Sequence, residues 1–189
     1  MALAKPAGTW SHADLAALPD DGSRYEIIDG ELYEMPAPTW AHSQVIMALI
    51  RLLLPLLDRM GGTLATAPLD VFFAGADPVQ PDLVVLLPGS RARPVRHGVA
   101  GPPDLLIEVL SPSNRAHDQV RKRALYARGG VREYWIIDPD AATIEIIGAD
   151  GEAVQHVAAT ADGVLTLHSP LLGDLAADSA TLFPADTAD

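Results

Sequence analysis

Two short apolar runs constrain this chain more than anything else in it: PDLVVLL at residues 81–87 and PDLLIEVL at 103–110. Continuous runs of this length, bounded by Pro and Gly, are typical of central strands covered on both faces. A layered α/β or α+β domain with a sheet at its centre follows. Each run carries an acid, Asp82 at the head of the first and Glu108 inside the second. An unpaired buried carboxylate costs several kcal/mol or gives up its charge, so both acids need partners. Lys122 follows on a basic segment. Two acids on neighbouring strands with a lysine beyond suit a metal site with a charge-stabilising or proton-handling group. The bland alternative is a strand-end salt bridge to arginine.

The rest of the chain arranges itself around these runs. Ser11 is a candidate cap for a short helix, His12 to Leu18. Arg24 to Asp29 and Glu31 to Met35 flank an Asp-Gly pair, a hairpin signal because both residues tolerate positive φ. Trp40 to Met60 carries Val45, Ala48, Leu49, Leu52, Leu53, Leu56 and Leu57 at helical spacing, with Pro55 expected to kink it or start a second turn. Gly61-Gly62 stops that helix, and Thr63 to Phe73 supplies one or two strands around Pro68. Leu83–Leu87 and Leu105–Leu110 are the central strands, and Pro88–Pro103 between them reads as a mobile Gly/Pro/Arg loop. A helix from about His117 to Arg128 begins at a Ser113 or Asn114 cap and closes at Gly129-Gly130. Glu133 to Ile137 is a further strand, Thr143–Ile147 and Ala153–Val157 a hairpin, and an Ala/Asp-rich tail follows Leu171.

At 189 residues the chain is expected to form a single domain, 1–189, with a core at about 15–147 and a C-terminal hairpin and tail at 148–189. Hydrophobic residues make up 49%, too many for a disordered chain. There is no cysteine, which excludes thiolate metal sites and thiol nucleophiles and suits a cytoplasmic location. The N-terminus lacks the apolar core of a signal peptide, and Val45–Leu57 is too short to span a bilayer, so no membrane partner is expected.

The net charge of −12 would discourage a nucleic-acid partner, but its distribution does not. Residues 91–132 hold nine Arg or Lys against three acids, while the rest holds four against 22. The positive charge surrounds the two acids; a solvated helix face plus a polar loop would give the same pattern. Carboxylate oxygens, a backbone carbonyl and water form the ligand set of Mg²⁺ or Mn²⁺. Such a metal lowers the pKa of bound water and stabilises a leaving oxygen. Asp118 and Lys122 are spaced i,i+4 and share a helix face, which by itself is only a surface pair. No GxSxG elbow, Walker loop or GxGxxG run is present.

The order RYEIIDGELYEM, QPDLVV, PPDLLIEVLSPSN and EYWIIDP resembles the Uma-type endonucleases of the PD-(D/E)xK nuclease superfamily, over roughly Leu15 to Ile147. The resemblance implies a restriction-endonuclease-like fold: a mixed central sheet flanked by helices, with an N-terminal hairpin and extra C-terminal strands. It implies Mg²⁺- or Mn²⁺-dependent hydrolysis of DNA phosphodiester bonds. Asp82 and Glu108 would be catalytic and metal-binding, with the carbonyl of Val109 as a further ligand. The superfamily lysine two residues after the acid is replaced by Leu110, which points to Lys122 on the following helix. Glu31 is a candidate additional catalytic acid and His42 a candidate metal ligand; a solvated hairpin residue and a helix cap are the plainer readings. Arg115, Arg121 and Arg123 are candidate DNA contacts, and a homodimer is expected because a double-strand cut needs two sites. Tyr126, Tyr134 and Trp135 fit core packing better than base stacking. The competing reading is a catalytically silent nuclease-fold binding or scaffolding module; a hydrolase of small phosphate compounds is a third.

Overall fold

In a computed structural model of the chain, the described residues are 8–11, 14, 18, 24–28, 30–35, 38–111, 115–160 and 163–184. The expected helix at 12–18 lies mostly outside them, as do Asp29 and the expected caps Ser113 and Asn114. The first hairpin pairs β1 (Arg24–Ile28) with β2 (Glu31–Met35) in antiparallel register, as the Asp-Gly turn predicts. Helix α1 (Trp40–Met60) matches its expected bounds. The Thr39 hydroxyl accepts the His42 N–H at 3.1 Å, and Gly61, at φ 70°, ends the helix in a left-handed cap. The helix continues through Pro55. At 21 residues α1 is long and apolar enough to cross a bilayer, longer than the Val45–Leu57 run suggested. Its Val45, Leu49, Leu53 and Leu57 stripe is nevertheless fully buried in the protein core.

Strands β3 (Thr63–Thr66) and β4 (Asp70–Phe72) follow on either side of a cis Ala67–Pro68 bond. Then come β5 (Leu83–Leu86), β6 (Arg93–Val95), β7 (Gly98–Ala100) and β8 (Leu105–Val109). Helix α2 (Arg115–Gly129) leads to β9 (Glu133–Asp138), β10 (Thr143–Gly148) and β11 (Ala153–Ala158). The central six-stranded sheet has the order β11-β10-β9-β8-β5-β3. It is mixed: β8 and β9 run parallel, joined by the α2 crossover, and the other pairs are antiparallel.

Side-chain alternation along the strands builds two cores. Leu83, Val85, Leu105, Ile107, Trp135 and Ile137 pack with α1 on one face. Val84, Leu86, Leu106, Leu110, Tyr134 and Ile136 pack with Leu125 and Tyr126 of α2 on the other. Tyr126 and Tyr134 meet edge to face, with centroids 4.8 Å apart, as the core-packing reading expects.

The segment 88–103 is not a structureless loop. Strands β6 and β7 form a hairpin that joins β4 in a three-stranded sheet, with β7 parallel to β4. Val71, Phe73, Val79, Ala92 and Val99 bury this small sheet against the α2 face. Gly98 makes the join possible: at φ 154°, a Cβ there would sit 2.1 Å from the Asp70 carbonyl oxygen. Gly98→Ala is therefore expected to cost about 1–3 kcal/mol through backbone strain alone, measured as a drop in urea-unfolding stability. An unchanged midpoint would show that the strand pairing is not tight.

The tail after Leu171 is also more ordered than expected. Strands β12 (Val164–Ser169) and β13 (Gly173–Asp178) form a hairpin, and a one-turn helix α3 (Ser179–Leu182) follows. A buried acid, Glu133, ties the hairpin to the central sheet. It accepts the Ser169 hydroxyl at 2.6 Å, the Leu171 N–H at 3.0 Å and the Trp135 indole N–H at 2.5 Å.

A second buried acid, Asp104, opens β8. Its carboxylate accepts the Leu87 N–H at 2.8 Å and Arg132 at 2.9 Å. Burial alone would raise this carboxyl, but the Leu87 N–H, the Ser90 hydroxyl and Arg132 together hold it below the ordinary aspartate value. A folded-state pKa below the unfolded one means stability that is present above about pH 4 and lost as pH falls through the folded value. Asp104→Asn should flatten the acid limb of a stability-against-pH curve; a limb of unchanged steepness would remove Asp104 from the account.

Candidate active site

The antiparallel β5–β8 ladder decides which acids meet. Its last pair is Leu83↔Ile107, so one step further the register places Asp82 at the level of Glu108. The start of β5 and the end of β8 lie at the same end of the sheet. Asp104, at the start of β8, lies at the other end, beside Leu87. Two of the chain's Pro-Asp pairs, Pro81-Asp82 and Pro103-Asp104, are thereby separated: the first lies at the Glu108 end of the sheet and the second clamps the opposite end.

Asp82 is half-buried. Its Oδ2 accepts the Val109 N–H at 2.8 Å, and His42 Nε2 stands 3.3 Å from the same oxygen. The Asp82 carbonyl accepts the Ala67 N–H at 3.0 Å, so the residue is fixed through both main chain and side chain. A cleft of about 190 Å³ opens beside it, lined by Pro38, His42, Ser43, Ile46, Thr66 and Ala67.

Glu108 alternates with Leu106 and Leu110, so its side chain faces α2. Lys122 Nζ donates to Glu108 Oε1 at 3.0 Å, and the Tyr126 hydroxyl donates to the same oxygen at 2.7 Å. Lys122 and Tyr126 are one helical turn apart, so both reach β8 from one face of α2. Lys122 is 0% exposed, Tyr126 1% and Glu108 6%. The lysine is therefore sealed into the domain as the partner of Glu108. Tyr126 serves the core, as expected, and also holds the acid, a role that the i,i+4 spacing from Lys122 could have signalled.

Leu110, at the position where the superfamily carries lysine, is 4% exposed within the α2-side apolar cluster. A lysine there would enter hydrocarbon, whereas α2 brings an ammonium to Glu108 from above the sheet.

The remaining expected residues divide. Glu31 accepts from Arg121 at 2.5 Å and from the Tyr33 hydroxyl, and Arg121 also donates to Tyr33. This cluster ties the N-terminal hairpin to α2. Arg123 donates to Glu145 at 2.9 Å and to the Gly151 carbonyl at 2.7 Å. Two of the three arginines expected to face DNA thus have partners within the chain. Arg115 begins α2, and its side chain lies outside the described residues.

Among the described residues no three His, Asp or Glu side chains converge as a ready-made metal cage. The expected donors at this sheet end are two carboxylates, Asp82 and Glu108, and the Val109 main-chain carbonyl. All are hard oxygen ligands, suited to a divalent cation that keeps several of its waters. The residues fit such an ion.

Comparison with known proteins bears on the family and the fold. The profile of a family, Uma2, described as "Putative restriction endonuclease", matches residues 12–180. No curated protein matches the chain. A solved structure from Anabaena variabilis ATCC 29413, described as a "putative nuclease belonging to DUF820", superposes with a TM-score of 0.71 at 20% identity. The match covers 90% of this chain and 96% of that one, and it shows a shared fold.

Proposed function

The chain belongs to the Uma2 restriction-endonuclease family, and on that premise we propose that it hydrolyses DNA phosphodiester bonds with Mg²⁺ or Mn²⁺. The observation that carries the reading is that Asp82 and Glu108 lie at the same end of the sheet, with a fully buried lysine on Glu108.

Asp82, Glu108 and the Val109 carbonyl would hold the cation, which when bound supplies an activated water and charge neutralisation at the phosphate. The chain's own residues do the rest. Val109 N–H fixes the Asp82 carboxylate, and His42 borders the same oxygen. Lys122 and Tyr126 grip one oxygen of Glu108, which orients the acid and compensates its charge away from water. Lys122, with no exposed surface, is in this account a positioning residue that acts through Glu108. The cleft beside His42 and Asp82 gives the scissile phosphate a way in. Cutting both strands of a duplex takes two such sites, so a C₂ homodimer belongs to the proposal. A monomer mass in light scattering, with DNA present or absent, would remove that part.

The test is conversion of supercoiled plasmid to nicked and linear forms in Mg²⁺ or Mn²⁺. Wild type should nick, and Asp82→Asn/Glu108→Gln should not. Equal activity in the two proteins would sink the assignment. A silent binding module is favoured by Leu110 at the lysine position, and it predicts no metal-dependent nicking by either protein.

A further inference from the structure

We propose that the β6–β7 hairpin is the arm that grips the phosphate backbone beside the cleavage site, through Arg93 and Arg96. The inference rests on the nuclease reading above and adds the surface that binds the substrate. The basic segment 91–132 is mostly spent on internal bonds. Arg91 donates to the Gly130 carbonyl, Arg121 pairs with Glu31, Lys122 with Glu108, Arg123 with Glu145 and Arg132 with Asp104. Arg93 and Arg96 are exposed and make no ion pair among the described residues. Uncommitted positive charge on an otherwise acidic surface is what a polyanion meets first.

The hairpin has its turn toward the Asp82 end of the central sheet. Its sheet packs on the α2 side of the central sheet, the side that carries Glu108 and Lys122. Its turn, Arg96-His97, leads into Gly98, which pairs with Asp70. Asp70 lies three residues beyond Ala67, whose N–H is bonded to the Asp82 carbonyl. The path from Ala67 to Arg96 is at most roughly 20 Å, a span of about six phosphates along one strand. The arm is also firmly seated, because Gly98 packs directly on the Asp70 carbonyl and Val99 is buried. A rigid basic arm can fix the register of a duplex without reading its sequence.

The experiment is anisotropy of a short labelled duplex bound by the full chain, with Ca²⁺ replacing Mg²⁺ to prevent cutting, titrated with KCl. Arg93→Gln/Arg96→Gln should make the slope of log K against log[KCl] shallower by about 2, roughly one unit for each lost phosphate contact. The control Arg51→Gln/Arg59→Gln, at exposed positions on α1, should leave the slope unchanged. Thermal melting confirms that each variant is folded. If wild type cuts and binds DNA while the hairpin variant keeps the wild-type slope, or the control loses as much, the arm is wrong and the nuclease reading stands. If wild type neither binds nor cuts nucleic acid, the nuclease reading falls and the arm with it.

Discussion

Lys122→Met is expected to lower unfolding stability by about 3–5 kcal/mol, because it leaves Glu108 buried without its cation. For a chain of this length that is a fall of about 6–20 °C in melting temperature. The reason is the environment: the ammonium is fully buried, its Oε1 partner is 3.0 Å away, and Leu106, Leu110 and Leu125 belong to the same side of the sheet. Methionine fills similar volume, so packing contributes little to the loss. The double variant Lys122→Met/Glu108→Gln should recover a substantial part of it, since the neutral amide no longer needs a counter-charge. Tyr126 can still donate to the amide oxygen. If the single variant melts within a degree or two of wild type, the pair is not the buried, mutually dependent unit described above.

The second large effect falls on activity. Asp82→Asn should reduce DNA cleavage by at least about 10²–10³-fold, the scale of losing one electrostatic group at a reacting centre, while the fold survives. Asparagine keeps an oxygen that can accept the Val109 N–H, and the site is only half-buried. The same substitution should abolish stabilisation by metal. Mn²⁺ at a hundred times its dissociation constant would stabilise wild type by about 2.7 kcal/mol and the variant by nearly nothing. A variant that is inactive yet still stabilised by Mn²⁺ would place the metal elsewhere. A wild type stabilised by Mn²⁺ but unable to cut would instead support a silent module.

Much of this architecture was legible in the residues. Helix α1 announced itself because its apolar period and the Gly61 stop agree on one span. The first hairpin did so through its Asp-Gly turn, and the apolar runs with their acids gave β5 and β8 to within one residue. The β6–β7 hairpin was hidden because Arg93-Pro94-Val95 is a three-residue strand with proline at its centre. It exists by leaning on β4, a contact between distant parts of the chain. Strand β12 was visible in principle: Leu165 and Leu167 alternate with exposed Thr166 and His168, but the Ala/Asp-rich surroundings obscured the period.

The site divides along the same line. That Asp82 and Glu108 lie at one end of the sheet follows from strand pairing, which local pattern cannot supply; the family resemblance pointed to it. The helix-borne lysine was anticipated, whereas its complete burial was not, because the sequence shows it between two arginines. Arg121 and Arg123 looked like phosphate ligands for the same reason: composition reports charge but not the Glu31 and Glu145 carboxylates that meet it. Buried Asp104 and Glu133 were overlooked as structural clamps, since each sits at a strand's first turn of chain, where polar residues are ordinary.

The most direct test of the central claim is the single-turnover rate of cutting a labelled duplex as Mg²⁺ or Mn²⁺ is titrated, for wild type and Glu108→Gln. The account predicts no cutting in EDTA, saturable metal-dependent cutting by wild type, and a rate lower by orders of magnitude for the variant at every metal concentration. Cutting that persists in EDTA, or a variant as fast as wild type, would contradict it.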